Sequence, residues 1–202
     1  MTTLLRIDTS LREAGSDSRA LADRFVESWR HRHPGGKIRV RDLAAEPVPH
    51  LDAATLAALA TEPAARDESA AVRAARADAL IDEFMDAEEI VLAVPMYNFG
   101  IPSTLKAYLD HLARAGVTFR YTPEGPQGLA GGKRVTLLLT RGGHYTGSAL
   151  DHQSPYLHTF FNFLGITDID EIVAEGLNID AASRERALAE AFERLAGEGV
   201  AA

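Results

Sequence analysis

Three short segments gather the side chains that could do chemistry. Thr9 to Ser18 (TSLREAGSDS) is rich in hydroxyls, Pro95 to Gly100 (PMYNFG) joins a thioether and two aromatic rings to a carboxamide, and Thr140 to His144 (TRGGH) sets paired glycines beside Arg141 and His144. Ser10, Ser16 and Ser18 can donate to an anion. A helix opening at that point would turn the unpaired N–H groups of its first turn toward the same anion, so the segment resembles a phosphate cradle. Ser16 or Asp17 also reads as nothing more than a helix cap. Met96, Tyr97 and Phe99 suit a planar heteroaromatic ring, with Asn98 able both to donate and to accept, although Met96 taken alone reads as core packing. Gly142-Gly143 either lets bare backbone approach a ring edge or makes a tight turn.

Other chemistries lack their residues. With no cysteine in the chain, disulfides, thiolate nucleophiles, iron–sulfur clusters and cysteine zinc sites are excluded, so redox chemistry needs a bound cofactor. Gly132-Lys133 is followed by Arg134 and preceded by Gln127 where a Walker loop starts with glycine, and no G-x-G-x-x-G follows the first strand. Ser103-Thr104-Leu105-Lys106 matches S-x-x-K without the companion S-D-N or K-T-G, so it reads as a helix cap and a solvated lysine. His31 and His33, beside Pro34-Gly35 and without an acidic or third histidine partner in the sequence nearby, read as surface residues and not as metal ligands.

The elements that must position the three segments follow from apolar spacing. Length sets the scale first: 202 residues, against roughly 150 per domain, predict one domain over residues 1–202. At 46% hydrophobic and 25% charged the chain can bury a core, and a net charge of −8 offers no cationic field for nucleic acid or an anionic bilayer. The start, MTTLLRIDTS, lacks a basic, long-apolar secretory pattern, and no apolar run nears the roughly 18 residues that span a bilayer, which predicts a cytoplasmic protein.

Leu4 to Thr9 predicts a strand, Leu21, Phe25 and Trp29 the stripe of a helix ending before His33-Pro34-Gly35-Gly36, and Lys37 to Leu43 a more exposed strand. Pro47, Pro49 and Pro63 mark a long irregular connection, followed by a helix with its stripe at Val72, Ala75, Ala79, Leu80 and Phe84. Ile90 to Val94 reads as a strand buried on both faces. Leu105, Tyr108, Leu109 and Leu112 predict a helix capped by Ser103, while the Gly- and Pro-rich stretch from Thr118 to Gly132 reads as an irregular excursion with room for a hairpin. Val135 to Leu139, Ser154 to Leu164, Ile169 to Ala174 and the stripe Leu188, Ala191, Phe192 and Leu195 complete the alternation as strand, helix, strand, helix. Five strand–helix units demand a parallel sheet covered on both faces. The expected architecture is a flavodoxin-like doubly wound α/β sheet of five strands, with a ligand outside the carboxyl ends of strands one and three. Arg6 and Asp8 share a face of the first strand, so either they pair or Asp8 lies at the open end of the sheet.

PMYNF (95–99), ARAGVTFRYT (113–122), TRGG (140–143), Pro155-Tyr156, FLGITD (163–168) and AEG (174–176) together resemble the FMN-dependent NADH-azoreductase and quinone-reductase family, in the same order and at similar spacing. The resemblance implies a homodimer with one tightly bound FMN per subunit. It also implies two-electron, ping-pong reduction of quinones and aromatic azo compounds by NADH, with NADPH as the alternative donor. Carried over by position, it places Ser10, Ser16, Asp17 and Ser18 at the phosphate, and Met96, Tyr97, Asn98, Phe99, Thr140, Arg141, Gly142 and Gly143 around the flavin. Asn98, Gly142 and Gly143 then stabilise the flavin's charge, and Phe119, Tyr121 and Phe163 border the substrate pocket, with His144 beside it. Two positions depart from the family. Asp17 stands where uncharged residues are common, and a carboxylate beside a phosphate repels it unless turned outward; His144 stands where the family is often aliphatic. The competing expectations are a flavodoxin-like electron carrier, a general NAD(P)H-dependent FMN reductase and a cofactor-free binding protein. The 118–132 excursion disfavours the carrier by supplying extra wall.

Overall fold

The computed structural model describes residues 2–197. Five parallel strands form one sheet: β1 (Thr3–Asp8), β2 (Lys37–Asp42), β3 (Glu89–Pro95), β6 (Arg134–Thr140) and β7 (Asp168–Ala174), in the order β2-β1-β3-β6-β7. The IVLAV run is why β3 sits at the centre. Ile90, Leu92 and Val94 pack with α3 (Glu68–Met85), α4 (Ser103–Leu112) and α5 (Ser154–Phe163), while Val91 and Ala93 face α1 (Asp17–Arg32) and α6 (Ala181–Gly197) on the other side. The chain leaves β1 for β2 on one side and returns to β3 on the other. The loops after β1 and β3 therefore diverge and open a crevice at the carboxyl edge.

α1 starts where Ser16 Oγ accepts from the Arg19 N–H at 3.5 Å, and ends where the His33 N–H reaches the Trp29 carbonyl at 2.9 Å. Gly36 must be glycine because a Cβ there would enter the Trp29 ring. His33 does have an acidic neighbour, Glu89 at 3.1 Å, brought from the start of β3. Arg6 and Asp8 satisfy both expectations at once: Arg6 Nε donates to Asp8 Oδ2 at 2.9 Å, and Asp8, 2% exposed, lies at the carboxyl end of β1.

Several expectations need correction. The connection after β2 is not wholly irregular: α2 (Ala53–Ala60) forms within it, capped by Asp52 accepting from the Thr55 N–H at 2.7 Å, and packs on α3. The buried stripe of α3 is Ala74, Ala77, Leu80, Ile81 and Phe84; Val72 is 59% exposed, and Ala75 and Ala79 face outward with it. Ser103 is the first helical residue of α4 and not its cap, the preceding Pro102 closing the turn without a side-chain bond. Lys106 pairs with Asp110 at 2.5 Å. Lys133 is no phosphate lysine: it is buried and donates to the carbonyls of Met85 and Ala87, at 2.6 and 2.7 Å, at the end of α3.

The excursion is a regular antiparallel hairpin, β4 (Phe119–Thr122) with β5 (Gly125–Gly128). Glycine and proline fit because β5 has only one neighbour, so Pro126 can lack an N–H on the unpaired side. Gly128 lies against the backbone of Leu164 and Gly165, where a Cβ would have no room. The hairpin is thereby docked on the end of α5.

Candidate functional site

The loop after β1 is held at its root by Thr9, whose hydroxyl donates to the Ala93 carbonyl at 2.8 Å. Ser10 is buried and its hydroxyl accepts from the Arg12 N–H at 3.2 Å. Ser16 and Ser18 hydroxyls stand 3.2 Å apart at the opening of α1. Among the described residues no partner takes the N–H groups of Glu13 to Ser18. That combination of free amides and hydroxyls is an anion cradle. Asp17 does not disturb it, because its carboxylate turns to α6 and is gripped bidentately by Arg184, with Nη1 at 2.8 Å.

The loop after β3 reverses in two residues. Tyr97 and Gly100 exchange backbone bonds of 3.0 and 3.1 Å, and between them Asn98 and Phe99 adopt φ values of 49° and 70°. These are the only non-glycine residues in the left-handed region among the described residues. Asparagine tolerates it, whereas a phenylalanine there is strained, and such strain concentrates at binding sites. Met96 N–H donates to the Thr140 carbonyl at 2.8 Å and the Tyr97 hydroxyl accepts from the Leu11 N–H at 3.2 Å, which ties this loop to both others.

The loop after β6 folds around Glu175. Its carboxylate accepts from the N–H groups of Tyr145 and Thr146 at 2.9 and 3.1 Å and from the Thr146 hydroxyl at 3.0 Å, with Arg141 at 3.6 Å. Burial works to raise the pKa of Glu175, but those donors and Arg141 outweigh it and hold it below the ordinary value. The Arg141 side chain is fully buried and turned away from the crevice, donating to Gln153 and Thr146 and paired with Asp151 at 2.9 Å. What Arg141 can present to a ligand is backbone. The N–H groups of Gly142 and Gly143 have no partner among the described residues, and the place of a Cβ on Gly142 is taken by the Asn178 amide.

Two adjoining clefts result. One of about 110 Å³ brings together Ser10, Ser16, Asp17, Thr140, Arg141 and Gly142, and another of about 800 Å³ is lined by Leu11, His50, Asn98 and Lys106, with Met96 and Tyr97 common to both. Phe99, exposed and edge-on to Tyr145 at 5.8 Å, and Gly143, which backs on to Tyr145, lie outside the lining of both clefts. Ser18 is buried beside Ser16 and lines neither cleft.

Four more expected residues lie apart from the three loops' crevice. Phe119, Tyr121 and Phe163 gather with one another, Phe119 lying 4.5 Å from Phe163 and 5.4 Å from Tyr121, outside the lining of both clefts. His144 faces a third cleft against α6, beside Glu175 at 3.5 Å. Arg12, Leu177 and Asn178 line the smaller cleft without having been singled out. Asn178 follows the carboxyl end of β7, so the rule that ligands sit beyond strand ends was the signal that could have found it. Gln153 had none: fully buried, it accepts from Arg141 and donates to the Val94 carbonyl at 2.9 Å, a purely tertiary role.

Comparison with known proteins places this geometry. A family described as having a flavodoxin-like fold matches residues 2–197. An FMN-dependent NADH:quinone oxidoreductase of Azotobacter vinelandii is 52% identical over 197 residues, covering 97% of this chain and 98% of that one. FMN-dependent NADH:quinone oxidoreductase 2 of Pseudomonas putida is 47% identical, covering 97% and 98%. Among solved structures, an azoreductase from Bacillus anthracis superposes with a TM-score of 0.91 at 31% identity, over 98% of this chain and 99% of that one. An FMN-dependent NADH-azoreductase from the same species, in complex with FMN, gives 0.87 at 27%, over 98% and 100%.

Proposed function

This chain belongs to the flavodoxin-like fold family, and from that premise we propose that it is an FMN-dependent oxidoreductase that uses NADH to reduce quinones and aromatic azo compounds. The observation that carries the reading is the set of unpartnered N–H groups and serine hydroxyls at the opening of α1, beside the strained Asn98-Phe99 turn. The residues fit the cofactor. Ser10, Ser16 and Ser18 would hold the phosphate, and Met96, Tyr97 and Asn98 would line the ring. Bound there, FMN supplies a ring that accepts a hydride from NADH and passes two electrons to the acceptor. The protein binds, orients and stabilises charge. Gly142 and Gly143 would offer backbone N–H groups, and Asn98 its amide, to negative charge on a bound flavin ring. No side chain is required as a strong acid or base.

The acceptor pocket is completed by a second copy of the chain. Tyr121 is 76% exposed over the buried Phe119 and the half-buried Phe163, and that exposed ring is what a two-fold contact would cover. A nicotinamide donor made in the cytoplasm places the reaction there. Purified protein loaded with FMN, freed of excess and mixed with NADH and a quinone tests the reading. Sustained quinone reduction supports it; a retained flavin colour without rapid NADH oxidation indicates an electron carrier, and a colourless protein indicates a binding module.

A further inference from the structure

The loop from Thr9 to Ser16 has no regular structure of its own, yet its amides must face outward if they are to receive an anion. Arg19, in the first turn of α1, sets that orientation from behind. Its Nη2 donates to the Ser10 carbonyl at 3.0 Å and its Nε to the Arg12 carbonyl at 3.2 Å. A trans peptide points its N–H opposite to its carbonyl. Turning the Ser10 carbonyl inward aims the Leu11 N–H at the Tyr97 hydroxyl, 3.2 Å away, and turning the Arg12 carbonyl inward leaves the Glu13 N–H free.

Arg19 is itself held. Asp42, the last residue of β2, accepts from its Nη1 at 2.6 Å and its Nη2 at 2.9 Å, and is fixed in turn by the N–H groups of Ala44 and Ala45 at 3.0 and 3.2 Å. The Arg19 hydrogen bonds, ahead of those backbone donors, lower the Asp42 carboxyl to about 2. Nη1 also lies 3.5 Å from the buried Asp8. Both edges of the guanidinium fork are thus engaged inside the protein, with a bidentate geometry that lysine cannot reproduce.

Resting on the flavin reading above, we propose that Arg19 and Asp42 form a clamp that presets the loop after β1 for the phosphate of FMN, so that they are positioning residues for FMN over riboflavin. Neither touches the phosphate. Their effect on the cofactor is carried by the Arg12–Glu13 peptide plane, whose N–H is free for the phosphate; the Ser10–Leu11 plane is held independently by the Tyr97 hydroxyl.

Riboflavin, which lacks the phosphate, separates this from a general structural role. The full-length chain, stripped of flavin, is titrated with FMN and with riboflavin by fluorescence quenching for the wild type, Arg19→Lys and Asp42→Asn. The expected result is an FMN dissociation constant raised about tenfold to a hundredfold in Arg19→Lys, less in Asp42→Asn, with riboflavin binding changed by less than about twofold. Full FMN affinity in Arg19→Lys would reduce the residue to a positive charge and overturn the clamp. Equal weakening of both ligands with a lowered melting temperature would overturn it too, leaving a structural role. The failure of the flavin reading looks different: a wild type that binds FMN no better than riboflavin removes the cradle itself, and the clamp with it. A wild type that prefers FMN, with both variants preferring it as strongly, overturns the clamp alone.

Discussion

Ser18 is one of the three serines in the loop after β1 and the opening of α1. It is buried at the opening of α1, its hydroxyl 3.2 Å from that of Ser16, and no backbone partner takes its N–H among the described residues. A hydrogen bond to a charged group contributes roughly 1.5 to 3 kcal/mol, so Ser18→Ala should weaken FMN binding about tenfold to a hundredfold. Turnover at saturating FMN should hardly change; an unaltered dissociation constant would remove Ser18 from the phosphate site. Phe99 poses the opposite case, a residue the backbone tolerates at a cost. At a φ of 70° it occupies a conformation in which a side chain loses about 1 to 2 kcal/mol relative to glycine. Phe99→Gly should therefore raise the melting temperature of the flavin-free protein by a few degrees. A fall in melting temperature would mean that the edge-on contact with Tyr145 outweighs the strain.

Elements differ in how plainly their sequences announce them. β3 carries a continuous apolar run and β6 one broken only by Thr136, and α1 repeats large side chains every fourth residue, so both period and burial were legible. α2 was not, because AATLAALA offers almost no contrast between faces; its signal is alanine propensity behind the Asp52 cap. Alanines on every side likewise hid the phase of α3, where Ala74 and Ala77 are buried and Ala75 and Ala79 are not. The site followed the same division. The loops after β1, β3 and β6 were legible with their serines, aromatics and glycines, and Asn178, beyond the end of β7, was open to the same rule, while Gln153 and the Arg19–Asp42 pair depend on tertiary neighbours. β5 was masked by its own composition, yet the packing explains it: Gly128 has backbone where a side chain would start. Gly128→Val should undock the hairpin from α5, with a loss of about 1 to 3 kcal/mol and faster proteolytic cutting between Arg120 and Gln127. FMN binding should survive. Unchanged protease resistance would show that the hairpin is held some other way.

Across the whole molecule, the two clefts and the aromatic cluster of Phe119, Tyr121 and Phe163 are separate features of one chain. On the proposed reading a second copy brings them together. The protein should sediment at twice the chain's 21.8 kDa, and Phe163→Asp should produce monomers that keep FMN through the serine loop but lose most quinone reduction. Full activity in a demonstrated monomer would dismiss the shared pocket while leaving the flavin site intact. One anaerobic titration shows whether this sheet edge holds a flavin that NADH reduces and an acceptor reoxidises. Protein loaded with FMN, passed through a desalting column and followed by its visible spectrum should keep a flavin band that bleaches with one equivalent of NADH per chain and returns with one equivalent of a quinone. A protein that emerges without flavin, or whose bound flavin stays oxidised in excess NADH, would contradict the account.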